Sequence, residues 1–224
     1  MENKFERSIQ ILGKAAFERL QGIRVLLFGV GGVGGWCAEA LVRSGVKHLT
    51  LVDFDVVNPS NINRQVVATS ANIGEPKVEE LRKRLLLINP EAEIVTIPVR
   101  FCAETAEQFD FGQYDYVLDA IDSVADKALL LHRASASTAT LFASMGAARK
   151  TDTGAIRVSE FRKVEGCPLA RALRVRMKKE NLLPSRKFQC VWSPEISSDK
   201  GTLASVVGVF GFTLANLVIR DVLS

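Results

Sequence analysis

The chain has 224 residues, 47% of them apolar, and its 29 basic and 25 acidic residues leave a net charge of only +4. This length and apolar content suffice for one large hydrophobic core. The sequence has no internal repeat or low-complexity tract, and we expect no secretory signal because the segment before Ile9 is charged and polar. Four cysteines without a recurring spacing are typical of a reducing compartment, so we expect a cytoplasmic protein.

Apolar, strand-like runs alternate with helical patterns from Val25 as far as Ala147. This alternation predicts an α/β fold with a doubly wound, mostly parallel, Rossmann-like sheet. We expect a mixed-strand extension and a final apolar helix to follow it. The predicted organisation of this single domain is a nucleotide-binding core (1–147), a basic substrate-binding extension (148–200) and the apolar helix (201–224).

A glycine-rich turn follows the first strand-like run and precedes a helix-like stretch at 33–44. It fits G-x-G-x-x-G, and its glycines are Gly29, Gly31, Gly32 and Gly34. Glycines let the backbone approach a phosphate, whose charge the following helix N-terminus favours. Asp53 ends the next apolar run, at the distance where an acid meets ribose hydroxyls. The pattern predicts a nucleotide site.

The residues that follow indicate which nucleotide binds. A hydride-transferring enzyme needs little beyond the loop and the ribose acid, yet this chain adds further polar and charged residues at or beyond strand ends, where open α/β sheets bind ligands. They are Asn61, Arg64, Lys77 and Asp122. Two cations can neutralise phosphates and a carboxylate can hold Mg²⁺, so this set predicts a triphosphate such as ATP with its metal.

The second half of the chain has a strong charge imbalance. Residues 149–187 hold twelve Lys or Arg against four Asp or Glu, a net charge of +8. Within them, 168–180 is predicted to be a helix opened by proline, with Leu169, Leu173 and Met177 on one face. Its basic residues are Arg171, Arg174, Arg176, Lys178 and Lys179. A solvated surface helix is one interpretation, and binding of a polyanion is the favoured one.

The cysteines argue against a zinc site. Cys37, Cys102, Cys167 and Cys190 are far apart, and no C-x-x-C pair exists. We expect Cys37 in the core, Cys102 and Cys190 buried in strand-like runs, and Cys167 exposed.

Residues 202–219 form an uncharged run of eighteen, close to the minimum for a membrane span. Asn216 and two threonines interrupt it, so a buried helix is favoured over a span or a peripheral membrane association. Gly208 and Gly211 are expected to allow close backbone approach.

These motifs together resemble the ubiquitin-activating-enzyme-like (ThiF/MoeB-type) adenylyltransferases. The matching elements are the glycine loop, D-x-D at Asp53 and Asp55, S-N-x-x-R-Q at 60–65, the lysine after G-x-P at Lys77, and D-x-x-D at Asp119 and Asp122. The resemblance implies ATP-dependent carboxylate adenylation. It also implies a homodimer in which Arg7 reaches the partner's triphosphate. By the same resemblance, Asn61, Arg64 and Lys77 bind phosphates and Asp122 organises Mg²⁺.

Within that family, the absent zinc motif and the basic extension are similar to the tRNA threonylcarbamoyladenosine dehydratase branch. Local matches are M-G-A at 145–147, C-P-L-A-R at 167–171 and V-W-S-P-E at 191–195, while the compact stretch after Glu195 departs from the branch. The resemblance implies adenylation and cyclisation of the modified base, a tRNA partner, and a cysteine-desulfurase or sulfur-acceptor system nearby. The alternatives are activation of the C-terminal glycine of a ubiquitin-like sulfur carrier, and an oxidoreductase or non-catalytic nucleotide-binding module.

Overall fold

The computed structural model describes residues 4–196, 198 and 200–224. A seven-stranded sheet has the order β3-β2-β1-β4-β5-β7-β6. Every neighbouring pair is parallel except β6 and β7, which are antiparallel. The strands are β1 Arg24–Phe28, β2 His48–Val52, β3 Glu93–Ile97, β4 Tyr116–Asp119, β5 Thr140–Ser144, β6 Arg157–Glu160 and β7 Gln189–Trp192. The predicted doubly wound sheet with a mixed-strand extension is confirmed.

The α-helices are α1 Glu6–Leu12, α2 Lys14–Gly22, α3 Gly34–Ser44, α4 Lys77–Ile88, α5 Val124–Ala136, α6 Pro168–Lys179 and α7 Ala204–Leu223. Three of them, α3, α6 and α7, were predicted, each to within a few residues. In α4, Val78, Leu81 and Leu85 recur with helical spacing and are fully buried, so one face of this helix packs into the core. The apolar run at 116–121 is a strand only as far as Asp119, where the backbone turns towards α5.

Side chains of the central strands alternate between two cores. Val25 and Leu27 of β1 contact the core formed with α3, α4 and α7. Leu26 and Phe28 point to the opposite core, formed with α5 and α6. This alternation follows from the two-residue period of a strand whose two faces are both covered by helices.

The final helix packs closely on α3. A Cβ on Gly211 would lie 2.5 Å from the Val33 carbonyl oxygen, so this contact requires glycine. The same expectation for Gly208 is wrong, because a Cβ there would meet nothing nearer than a Phe212 ring carbon at 4.0 Å.

Among the described residues, α7 is the one helix whose length and apolar composition would suit a membrane crossing. A buried core helix passes the same test, and Val206, Phe210, Leu214 and Val218 of α7 are fully buried inside the fold. The predicted final apolar helix is therefore confirmed, with one face buried in the core, and the membrane alternatives remain untested.

The four cysteines are free thiols. Cys37 and Cys190 lie in the core as predicted, and burial raises the pKa of the Cys190 thiol to about 12. The expected exposure of Cys167 is wrong: it precedes α6 and packs into the core with 3% of its surface exposed. Cys102 lies in a turn beyond β3 and is only half-buried, so its assignment to a buried strand is wrong as well.

Candidate nucleotide-binding cleft

A cleft of about 440 Å³ opens at the carboxyl ends of the central strands. The parallel order places the ends of β1, β2 and β4 side by side, so residues distant in sequence meet there. Eight of the predicted site residues line the cleft: Gly29, Gly31, Gly32, Asp53, Asp55, Arg64, Lys77 and Asp122. The structure therefore brings most of the predicted set together.

The glycines of the loop serve different purposes. Gly29 has a φ of +83°, and a Cβ there would lie 2.8 Å from the Ala120 carbonyl oxygen. A Cβ on Gly34, which begins α3, would lie 1.8 Å from the Gly29 oxygen. Both glycines are therefore required by the fold itself. A Cβ on Gly31 would meet only Gln65 Nε2 at 3.6 Å, an ordinary contact, so the missing side chain fits close approach by a ligand instead.

Asp53 at the end of β2 supports the loop. One carboxylate oxygen accepts a hydrogen bond from the Val30 backbone N–H at 2.8 Å, and the other accepts one from Asp55 N–H at 2.9 Å. Burial raises the pKa of Asp53, although these two N–H groups oppose the rise. Each oxygen keeps a further lone pair, which suits acceptance of hydrogen bonds from ribose hydroxyls.

Both predicted cations of the cleft, Arg64 and Lys77, already have acceptors. The Lys77 side chain is 4% exposed, and its Nζ lies 2.7 Å from Asp55 Oδ2. Arg64 Nη1 donates to the Ser60 carbonyl at 2.7 Å and to Asn63 Oδ1 at 3.0 Å. These bonds orient the cations, and they leave the other N–H groups of the Arg64 guanidinium for phosphate oxygens.

Asp122 is exposed in the cleft and makes no hydrogen bond or ion pair with the residues that the structure describes. Within that same part of the chain, no group of three or more His, Cys, Asp or Glu side chains is arranged to hold a metal. Mg²⁺ is commonly held by one or two carboxylates together with substrate phosphates. The single free carboxylate of Asp122 fits that mode.

Three predicted nucleotide-site residues do not line the cleft: Gly34, which begins α3, Asn61 and Arg7. The Asn61 side chain is buried in the turn before Arg64, where its oxygen accepts the Asn58 N–H at 3.0 Å. It therefore shapes the turn in this structure, and direct phosphate contact stays a prediction. Arg7 is exposed on α1, away from the cleft of its own chain.

The structure also adds residues to the cleft that sequence reasoning missed. Gln65 is 7% exposed, and its buried Oε1 has no hydrogen-bond partner among the described residues. At the rim, Arg100 donates two hydrogen bonds to Asp126 Oδ2 at 2.9 and 2.8 Å and lies 5.7 Å from the centre of the Phe54 ring. Gln65 belongs to the S-N-x-x-R-Q motif, which is the one signal that could have identified it.

Another part of the cleft lining comes from the segment after β5, the basic extension and the segment that leads into α7. It includes Met145, Gly146, Leu169 and Thr202. Gly146 lies against α6, because a Cβ there would be 3.5 Å from the Cβ of Leu169. The nucleotide core and the basic helix therefore share this wall.

The predicted basic face of α6 is only partly free. Arg171, Lys178 and Lys179 are exposed, while the apolar face with Leu173 and Met177 is buried. Arg174 instead donates to the carbonyl oxygens of Phe161 and Val164, at 3.3 and 3.0 Å. Arg176 pairs with Glu180 at 2.6 Å. Arg174 therefore stabilises the loop before α6 in this structure, and the tRNA contacts predicted for Arg171, Arg174, Lys178 and Lys179 stay predictions.

The sheet order, the glycine turn and the cleft chemistry define a Rossmann-type α/β domain with a nucleotide site. The profile of the ThiF family matches residues 5–224, and the chain belongs to that family.

Its relatives include a tRNA threonylcarbamoyladenosine dehydratase from Bacillus subtilis, 38% identical over 87% of this chain and 76% of the relative. A molybdopterin-synthase adenylyltransferase from Escherichia coli is 36% identical over 87% of this chain and 70% of the relative. The crystal structure of the E. coli tRNA threonylcarbamoyladenosine dehydratase in complex with ATP is also similar, with a TM-score of 0.92 and 31% identity over 98% of this chain and 93% of that one.

Proposed function

We propose that this protein is an ATP-dependent tRNA threonylcarbamoyladenosine dehydratase. The observation that supports it most is the cleft itself, where the glycine loop meets two cations and a free carboxylate beside a strongly basic helix. Relatives of that name match most of the chain, and one solved relative holds ATP.

The first step of the proposed reaction activates a carboxylate. A carboxylate is a poor electrophile because its charge repels nucleophiles and its oxygen leaves badly. In the proposed reaction, a carboxylate oxygen of the threonylcarbamoyl group attacks the α-phosphorus of ATP. The bond from that phosphorus to the bridging oxygen breaks, pyrophosphate leaves with the electron pair, and an acyl-adenylate remains.

The second step closes a ring within the modification. An internal nucleophile attacks the activated carbonyl carbon, the bond to the AMP oxygen breaks, and a proton is released. ATP thus becomes AMP and pyrophosphate, and the modified base loses the elements of water. The protein positions the groups and stabilises charge, and the scheme needs no covalent enzyme intermediate.

The residue roles follow the geometry of the cleft. Asp53 would hold the ribose, and Gly31 would admit the phosphates to the loop. Arg64 and Lys77 would stabilise the departing pyrophosphate. For this, the Lys77 ammonium group would leave its ion pair with Asp55 and bind a phosphate oxygen instead. When bound, Mg²⁺ would be held by Asp122 and the phosphates and would neutralise part of their charge.

We extend the proposal to a homodimer in which Arg7 reaches the partner's triphosphate. Arg7 is exposed on α1, where Ile11 also exposes 84% of its surface. A cytoplasmic location and a sulfur-acceptor system as a neighbour belong to the same proposal.

The anticodon region of the tRNA would lie along α6. The free cations Arg171, Lys178 and Lys179 would contact phosphates, which makes the affinity salt-dependent. Lys178→Glu should weaken tRNA binding and lower the slope of log affinity against log salt by about one contact, roughly 0.7–0.9. Lys14→Glu on α2 is the matched control, because its side chain is 84% exposed and lies on a different helix. An unchanged slope in Lys178→Glu would refute this docking face.

ATP–pyrophosphate exchange tests the proposed function. The protein is assayed with tRNA carrying threonylcarbamoyladenosine, with a ubiquitin-like sulfur carrier ending in glycine, and with neither. Exchange that requires the modified tRNA supports the proposal. Exchange that requires the sulfur carrier overturns it in favour of the sulfur-carrier adenylyltransferase, and no exchange in any arm overturns adenylation itself.

A further inference from the structure

A fully buried ion pair lies beneath the cleft. Asp119 ends β4 and Lys127 lies in α5, both have 0% of their surface exposed, and Lys127 Nζ is 2.7 Å from Asp119 Oδ2. No step of the proposed reaction uses either residue. Removing both charges from water is costly, and apolar pairs of similar volume often give equal or greater stability. Stability alone therefore does not explain this pair.

The pair holds both polar groups of one residue. The other Asp119 oxygen, Oδ1, accepts the Ile121 N–H at 3.0 Å, and Lys127 Nζ donates to the Ile121 carbonyl oxygen at 2.9 Å. The pair therefore fixes the peptides on either side of Ile121. The next residue is Asp122, whose carboxylate faces the cleft without a partner among the described residues.

The same turn also meets the glycine loop. Ala120 is the residue before Ile121, and its carbonyl oxygen would lie only 2.8 Å from a Cβ on Gly29. A shift of this turn would therefore move both Asp122 and the backbone that packs against the glycine loop.

We propose that Asp119 and Lys127 are positioning residues for Asp122, acting through their hydrogen bonds to Ile121. This inference rests on the proposed function for the part that Asp122 plays in adenylation. The two buried charges make these hydrogen bonds possible. The Lys127 ammonium group donates to the Ile121 carbonyl oxygen, and the Asp119 carboxylate neutralises that ammonium group while it accepts the Ile121 N–H.

Two uncharged double variants separate these contributions. Asp119→Leu/Lys127→Met removes both bonds to Ile121. Asp119→Asn/Lys127→Met also removes both charges but keeps an acceptor for the Ile121 N–H. Glu39→Gln is the control. Glu39 lies on α3 away from the cleft, and its buried carboxylate pairs with Arg84 of α4 at 2.6 Å.

The readouts are hydrogen exchange at the Ile121 amide, urea unfolding, and kcat and KM for ATP in tRNA-dependent pyrophosphate exchange. We expect the Leu/Met variant to lose Ile121 protection and about 100-fold in kcat, because small misplacements of a reacting group cost that much. The Asn/Met variant should keep the protection and lose about tenfold, and both should keep the KM for ATP within about threefold. Glu39→Gln should lower stability and leave kcat unchanged.

Equal kcat values in two folded double variants that differ in Ile121 protection would overturn the inference. If the Leu/Met variant does not fold, an unchanged kcat in the Asn/Met variant overturns it equally. If the wild-type protein shows no pyrophosphate exchange, the proposed function fails, and the Ile121 amide still decides whether the pair holds the turn.

Discussion

Gly31→Ala tests whether Gly31 is needed for ligand binding, whereas Gly29 and Gly34 are needed for folding. The methyl group would lie 3.6 Å from Gln65 Nε2, and the backbone of Gly31 lies outside the left-handed region. The folded protein therefore accommodates alanine without strain. Because alanine also restricts the unfolded chain, the free energy of unfolding should stay level or rise by about 0.4–1 kcal/mol.

The effect on ATP should be opposite. The added methyl occupies the space where a phosphate would approach the loop, and inserting a methyl group into a packed contact costs about 1–3 kcal/mol. At about 1.4 kcal/mol per factor of ten, the Kd for ATP should rise roughly 5-fold to 150-fold.

Isothermal titration calorimetry with a non-hydrolysable ATP analogue and a thermal melt measure the two quantities on one sample. Gly22→Ala at the end of α2 is the matched control, because a Cβ there would meet nothing within 4 Å. An unchanged Kd in Gly31→Ala would refute phosphate binding at this loop. A large fall in Tm would refute the steric argument.

Further outcomes follow from other contacts. Arg64→Ala should lower kcat for pyrophosphate exchange about 10²–10³-fold with the fold intact, and near-normal exchange would exclude its role in stabilising charge. Gly211→Ala should lower the free energy of unfolding by about 1–3 kcal/mol in urea, because its Cβ would lie 2.5 Å from a backbone oxygen. Burial raises the pKa of Glu39, but the hydrogen bonds from Arg84 and Arg43 outweigh it and the pKa falls below its usual 4.5. The stability from Glu39 is thus present above about pH 4.5 and lost as pH falls through the lowered pKa, so Glu39→Gln should cost about 1 kcal/mol at pH 7 and less at pH 3.

Sequence alone predicts those site residues that the sheet topology places next to one another. In a parallel sheet, the residues that follow each strand meet at one edge, so Asp53, Lys77 and Asp122 could be placed in one cleft without knowing a distance. Helix and strand periodicity gave the two covered faces of the sheet in the same way.

What the sequence does not reveal are contacts between segments whose spacing carries no pattern. Arg174 reads as one more cation on a basic face, and only the fold shows carbonyl oxygens beside it. Cys167 looks like a loop residue because the core that covers it comes from elsewhere in the chain. Lys127 lies within a helical pattern that gives no sign of a buried counter-charge.

The mass of the modified nucleoside tests the central claim most directly. tRNA carrying threonylcarbamoyladenosine is incubated with the protein and Mg²⁺, with or without ATP, then digested to nucleosides for mass spectrometry. The account predicts loss of one water from that nucleoside only when ATP is present, with one AMP and one pyrophosphate formed per event. A nucleoside mass that ATP leaves unchanged would contradict it.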